Sequence, residues 1–323
     1  MSSFAFGEGS QRIFAAVRQN GSALWSPAME SARQHSAART IALGILCGTS
    51  AAVCWALGFV SARHGVLVGL SPLVIALHRF VWAGLVFLPF IAKAGFGDLG
   101  GVGWGRGIAL TILGALPFSI LSYSGFVLVP LGHGGVIQPS VAAVAGLLLA
   151  WLMLGEALPA RRVAGAMAIV IGLGVIGAEA LRTMGHQGVL GDLIFVTTGC
   201  SFALFGMLLR RWQIAATRAV AATSVVSLAG IAMLPFVFDN MRAAGVYENT
   251  LQAVLQGVFA GPGATFLFAR AVVLLGGGRA VLFTALVPGI TVLIGYLALG
   301  EVPSLAQVVG LGIVLVGFWP VMK

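Results

Sequence analysis

The feature that most constrains this chain is a succession of long apolar runs without a single charge. Leu110 to Val129 reads "LTILGALPFSILSYSGFVLV" and Val308 to Met322 reads "VVGLGIVLVGFWPVM". Runs of roughly 20 apolar residues cross a bilayer as helices, the one open-ended structure that satisfies every backbone N–H and C=O without water. Strands of a membrane barrel would alternate polar and apolar residues over about 10 positions, and these runs do not alternate. Charged residues make up only 8% of the chain, where a water-facing surface calls for about 25%. The sequence therefore predicts an all-α membrane protein with the lipid bilayer as its solvent.

Ten spans are expected, at residues 40–62, 71–92, 107–128, 134–154, 160–179, 189–210, 217–238, 252–275, 279–299 and 304–321. Residues 1–38 are Ser/Ala-rich, lack the apolar region of a secretory signal, and are expected to form a largely disordered cytoplasmic arm. A short interfacial helix around Arg12 to Arg18 is the alternative there. With both termini cytoplasmic, 14 Lys and Arg fall on the inside and three (Arg63, Arg182 and Arg242) on the outside. Positively charged loops stay in the cytoplasm, so orientation and span count support each other. This spread of arginines over loops also accounts for the net charge of +9 without a nucleic-acid partner. Cys47, Cys54 and Cys200 all fall in apolar stretches and read as small core residues. The expected location is the bacterial cytoplasmic (inner) membrane.

The chain repeats itself. "LLLAWLMLGE" ends at Glu156 and "TVLIGYLALGE" at Glu301, 145 residues apart. At the same offset Pro117 matches Pro262, Gly132 matches Gly277, Gly155 matches Gly300, Gly165 matches Gly310 and Gly172 matches Gly317. Two halves of five spans follow, 39–183 and 184–323. An odd number of spans turns the second half over relative to the first, giving inverted repeats around a central cavity. Opposite sides then explain why Arg161 and Arg162 follow the first glutamate while "VPSLAQ" follows the second.

Several stretches together resemble the drug/metabolite transporter superfamily, in particular its EamA-type ten-helix members. They are "AAVCWALGFVSAR" with its partial echo "GCSFALFGMLLRR", the arginine of "SPLVIALHRFVWAG", and "YSGFVLVPLGHGGVIQPSVAAVAGLLLAWLMLGE" echoed by "FARAVVLLGGGRAVLFTALVPGITVLIGYLALGE". The resemblance covers nearly all of residues 40 to 321. It implies export or exchange of small metabolites by alternating access, through a cavity lined mainly by the first four helices of each half. Within the superfamily the chain is most similar to aromatic amino-acid exporters of the YddG type. The halves are unequal, however: Ser224 stands where an arginine would match Arg79, and Pro139 and Pro288 are four residues out of register.

Arg79 falls near the middle of span two, where an arginine costs at least about 2.5 kcal/mol. It must face a wet cavity or a partner. It reads either as a counter-charge for a substrate carboxylate or phosphate or as a link between helices through neighbouring carbonyls. His78 and Trp82 share one helix face, being four apart. Ser122 and Tyr123 on span three, and Gln138 on span four, add polar groups. Aromatic candidates for the path are Trp55, Trp82, Tyr123, Phe205, Phe266 and Phe283, and Thr284 joins them. Helix interruptions are expected at Pro117, Pro139, Pro262 and Pro288, because a proline removes a ladder donor and freed carbonyls are tolerated at depth only beside a cavity or a neighbour. Glu156 and Glu301 are expected to cap the tight turns that follow them, with a gating ion pair to Arg161 or Arg162 as the second reading.

Ala164, Ala168 and Gly172 form a small-residue face on span five, suited to bracing a half or to a weak homodimer; a monomer is equally compatible. No carboxylate falls in mid-span: Glu8, Glu30, Asp98, Glu179, Asp192, Asp239 and Glu248 lie in the arm, in loops or at span ends. This predicts a facilitator, or an exchanger coupled through His78 at most. No phosphate-binding loop is present, and the five scattered histidines offer neither a metal site nor an enzyme's acid–base cluster. No cofactor is expected. The predicted substrate is a small molecule, most simply an aromatic or hydrophobic amino acid. Purines, sugar phosphates or drugs are the alternative cargo, and a channel the alternative mechanism.

Overall fold

The computed structural model describes residues 27–322, and among the described residues it contains helices and no strand. The possible helix around Arg12 to Arg18 lies outside the described residues. Within the arm, residues 27–38 are helical, because the first helix, α1, runs Pro27–Leu67. In order follow α2 (Pro72–Gly95), α3 (Trp104–Gly114), α4 (Leu116–Leu128), α5 (Leu131–Leu154), α6 (Ala160–Arg211), α7 (Ala216–Val226), α8 (Leu234–Val254), α9 (Ala264–Leu275), α10 (Gly277–Ala280), α11 (Leu286–Leu299) and α12 (Leu305–Met322). Seven helical stretches are long and apolar enough to cross a membrane, and Leu305–Val321 is a shorter apolar one.

Two of the seven are 52 and 60 residues long, Ala160–Arg211 and Ala216–Leu275. At 1.5 Å per residue a straight 52-residue helix would measure about 78 Å, against a hydrocarbon thickness of about 30 Å. Both are broken, at Gly185 (φ 61°) and Gly245 (φ 81°). A positive φ favours glycine, so each break sits where the chain supplies one.

The equivalent helices α5 and α11 end alike. Gly155 and Gly300 take left-handed φ of 66° and 67°, the conformation with which a glycine closes a helix. The recurrence of Leu-Gly-Glu is thus a recurring helix stop. These two helices pack antiparallel: a Cβ on Gly135 would meet Thr291, and one on Gly295 would meet Leu131. The first arm of α6 and α12 are antiparallel too, and closer. A Cβ on Gly165 would lie 2.6 Å from the Gly317 carbonyl oxygen, and one on Gly172 would lie 2.6 Å from that of Gly310. The buried face of the arm is Gly165, Ile169, Gly172 and Ile176. Of the expected face Ala164, Ala168 and Gly172, only Gly172 lies in the contact, while Ala164 is exposed and Ala168 half-buried, since only glycine lets two backbones touch. Cys47 and Cys54 are buried, whereas Cys200 is exposed rather than in the core.

The interior is shared by Ile75, Phe126, Ile169, Ile176 and Phe195 among others. The Phe126 and Phe195 rings lie 4.9 Å apart, packed against glycines 125 and 134. Large apolar side chains such as Leu152, Leu297 and Val316 point outward and are exposed, as a lipid-facing surface requires.

Candidate functional site

Arg79 lies on α2 and reaches a helix far away in sequence. Its Nη1 donates to Gln256 Oε1 at 3.0 Å and to Tyr123 Oη at 3.4 Å, and its Nη2 donates to the Ala260 carbonyl at 3.1 Å. Tyr123 Oη also donates to Gln256 Oε1, at 3.0 Å. The Gln256 amide nitrogen in turn donates to the Gly58 carbonyl (2.7 Å) and Ser61 Oγ (2.9 Å) on α1. Gln252, one turn earlier, donates to the Ser61 carbonyl at 2.8 Å. One cluster therefore ties α1, α2 and α4 to the segment Leu255–Gly263.

That segment is wound as a π-helix, with Pro262 inside it. A widened turn of this kind is frequent at functional positions, and here it offers the Ala260 carbonyl to the guanidinium. Gly58 permits the approach of α1: a Cβ there would lie 2.7 Å from Ala260 Cβ and 3.3 Å from Arg79 Nη1. Every acceptor around Arg79 that these bonds identify is neutral. Hydrogen bonds from a charged donor contribute about 1.5–3 kcal/mol each, enough together to offset the desolvation of a half-buried arginine. The carbonyl link between helices that the sequence suggested is thus present.

His78 and Trp82 form a second chain of bonds. The indole N–H of Trp82 donates to His78 Nδ1 at 3.2 Å. An indole N–H only donates, so Nδ1 is the unprotonated nitrogen and Nε2 carries the proton. Nε2 then donates to Asn249 Oδ1 at 3.0 Å. The Asn249 amide donates to the Met241 and Gly245 carbonyls, both at 2.6 Å, and so braces the break in α8. Held this way, His78 is neutral and occupied at both nitrogens.

The other sequence-nominated residues are more dispersed. Ser122 Oγ bonds Gln138 Oε1 at 2.6 Å, and both are buried. Trp55 packs against Phe268 with ring centroids 5.2 Å apart. Phe205 fills the space beside Gly114, and Phe283 that beside Gly48. Phe266 is 69% exposed and Trp82 45%. Thr284 lies half-buried in the 3-10 turn Val281–Ala285 that leads into α11.

Three of the four expected proline interruptions sit at breaks in helix geometry. Pro117 starts α4 just after Ala115 leaves helical backbone (φ −125°, ψ −127°). Pro262 lies in the π-turn, and Pro288 follows the 3-10 turn. The interruption expected at Pro139 does not occur: α5 runs through it from Leu131 to Leu154. A helix absorbs one proline by giving up a single bond when its neighbours hold the two arms in line.

The two glutamates act differently from expectation. Each carboxylate accepts hydrogen bonds from residues far away in sequence. Glu156 pairs with Arg210, at the far end of α6. Glu301 accepts from Arg63 Nε at 2.6 Å and from the backbone N–H of Leu131 at 2.7 Å. It therefore caps α5, on which its own counterpart Glu156 follows the last turn. Arg63 also donates to the Phe126 carbonyl at 2.5 Å. The first pair is exposed (54% and 39%) and the second largely buried (15% and 21%).

Arg63 and Glu301 also line a cavity of about 390 Å³ together with Glu179, Thr183, Ser304 and Gln307. Of the residues nominated from sequence, only Glu301 lines it. Arg63, Arg210, Asn249, Gln252 and Gln256 were not nominated. Gln252 and Gln256, one turn apart in a span without charge, were the available signal.

The comparisons with known proteins agree with this architecture. The model of the EamA-like transporter family matches the chain twice, over residues 42–178 and again over 189–322. A protein of Archaeoglobus fulgidus described as an uncharacterized transporter is 26% identical over 282 residues, which span 83% of this chain and 95% of that protein. A crystal structure with 19% sequence identity superimposes with a TM-score of 0.59, covering 85% of this chain and 95% of the other.

Proposed function

The chain belongs to the EamA-like transporter family, and from that premise we propose that it exports or exchanges small amphipathic amino acids across the bacterial inner membrane by alternating access. Ten crossings divide into two inverted halves, with both termini cytoplasmic. The observation that carries this reading is the exchange of partners between the two Leu-Gly-Glu motifs. Glu156 of the first half pairs with Arg210 of the second, and Glu301 of the second pairs with Arg63 of the first. The pairs flank opposite ends of the 24-residue helix α5, about 36 Å apart. Two inter-half locks on opposite faces are what a carrier needs to open one end while the other stays shut.

The antiparallel glycine contacts support the inversion. Their partners swap under the 145-residue offset: Gly165 meets Gly317 while Gly172 meets Gly310. A two-fold axis in the membrane plane produces such reciprocal pairs.

For the substrate, a guanidinium held by neutral acceptors keeps its full charge for a carboxylate. A zwitterion matches one such charge better than a sugar phosphate, which would call for several. Purified protein in liposomes loaded with unlabelled L-phenylalanine is expected to accumulate labelled L-phenylalanine by counterflow. Arg79→Ala is expected to slow this by at least about tenfold, and Arg79→Lys to leave it slow, since a point charge replaces neither forked donor. Transport of sugar phosphates alone would overturn the amino-acid reading, and steady conductance without saturation or counterflow would overturn the carrier.

A further inference from the structure

Asp192 and His133 are buried together at the end of the molecule that holds the Arg63–Glu301 pair. His133 stands on the first turn of α5 and Asp192 seven residues past the break at Gly185 (192 − 185 = 7), about two turns. His133 Nδ1 and Asp192 Oδ1 are 2.8 Å apart. The histidine is 0% exposed and the aspartate 8%. Their outer atoms, His133 Nε2 and Asp192 Oδ2, are buried without a hydrogen-bond partner. Phe126 and Phe195 pack against Gly134, and Val129 packs against Gly191, so apolar side chains cover the chain neighbours of both residues, while the cavity that Arg63 and Glu301 line reaches Gly132.

We propose that this pair is a proton-binding site whose occupancy holds that end of the carrier closed. An uncompensated charge on buried side chains with unpartnered polar atoms costs several kcal/mol. The closed interface therefore favours the net-neutral pair, which holds one proton more than a carboxylate beside a neutral imidazole. His133 falls within the first family match and Asp192 within the second, so separating the halves parts the two side chains and wets both. In neutral water the extra proton then leaves the imidazolium ring for water on that face, and closure takes one back. A ligand that binds one state better stabilises that state, and here the ligand is a proton from the outer solution.

Among the charged and titratable groups on the surrounding elements, Arg182 and His186 of α6 are exposed, and His64 of α1 pairs with Glu248. Glu179 lies on the first arm of α6, with a buried, unpartnered Oε2. Arg63 and Glu301 hold each other at Leu131. Helices α4, α11 and α12 contribute no charged side chain. The site deepens the carrier reading, yet its test needs no substrate.

Val129 is 1% exposed and lies between the halves, so a cysteine there reports opening. In a background with Cys47, Cys54 and Cys200 replaced by serine or alanine, Val129→Cys is labelled with an impermeant maleimide from outside. Its rate is divided by that of Val302→Cys, which is 76% exposed, to remove the thiol's own pH dependence. The ratio is expected to fall about tenfold between about pH 8 and about pH 5.5. Asp192→Asn and His133→Gln should each flatten that dependence. The double variant His133→Phe/Asp192→Leu, which leaves no buried polar atom behind, should be flat and closed at both values. An unchanged wild-type ratio, a wild-type slope retained in the variants, or a Val129→Cys that never reacts would each overturn the proposal. A pH-dependent ratio in a protein that exchanges no phenylalanine would leave the proton site standing and reject the substrate.

Discussion

Gly172→Leu is expected to yield no monodisperse, folded protein. The Cβ of any residue there would lie 2.6 Å from a backbone oxygen of α12, and a backbone cannot swing aside as a side chain does. One added methylene in a packed interior costs about 1–3 kcal/mol, so Gly172→Ala alone is expected to remove about 2 kcal/mol. Leucine adds a further branched chain where two backbones touch, and the added overpacking is set against a total of only about 5–15 kcal/mol for a typical domain. Gly165, Gly310 and Gly317 should behave alike, since each makes the reciprocal contact. Gly174, two residues along the same arm, has nothing within 4 Å of its would-be Cβ. Gly174→Leu is therefore expected to fold normally. Size-exclusion profiles and thermal unfolding in detergent would check both, and a Gly172→Leu protein as stable as wild type would remove the close-packed seam.

The next largest effect is expected at Glu301. Its replacement by alanine leaves the Arg63 guanidinium without its carboxylate and the Leu131 N–H without its cap. Breaking a largely buried pair costs about 3 kcal/mol or more, roughly 100-fold or more in an equilibrium constant. Glu156→Ala should change stability by less than about 1 kcal/mol, because its pair with Arg210 is solvent-exposed. Charge reversal separates the two cases further. Arg210→Glu with Glu156→Arg restores a simple surface pair. Arg63→Glu with Glu301→Arg cannot, since a guanidinium at 301 would face the Leu131 N–H and a carboxylate at 63 the Phe126 carbonyl. Thermal unfolding of the single and double variants measures the difference. Equal losses at both ends would refute the asymmetry.

Much of the architecture is legible in the sequence because a bilayer leaves few alternatives. The glycine breaks at 185 and 245 fall inside the connections placed at 179–189 and 238–252. The 145-residue register picks out the four glycines of the seam but not their partners, since Gly165 meets Gly317 and Gly172 meets Gly310. The site was less legible. Arg79 announced itself by the cost of its depth, but its partners Gln256 and Ala260 come from a helix some 180 residues away in sequence, and no local pattern encodes that pairing. Glu156 and Glu301 look like local caps at the ends of their own helices. Their partners are long-range, across the two halves, because the packing brings Arg210 and Arg63 to them. Asp192 reads as a loop-proximal residue near a span's start. Its burial depends on His133 arriving from another helix.

The opposed orientation of the halves is tested most directly at two equivalent exposed positions, Ala157 and Val302, which share the 145-residue offset. Each is replaced singly by cysteine in the background without the native cysteines, and intact cells are treated with an impermeant maleimide. Val302→Cys is expected to be labelled at once, and Ala157→Cys only after the membrane is permeabilised. Labelling of both from the same side would contradict two inverted halves and, with them, the carrier built on paired locks.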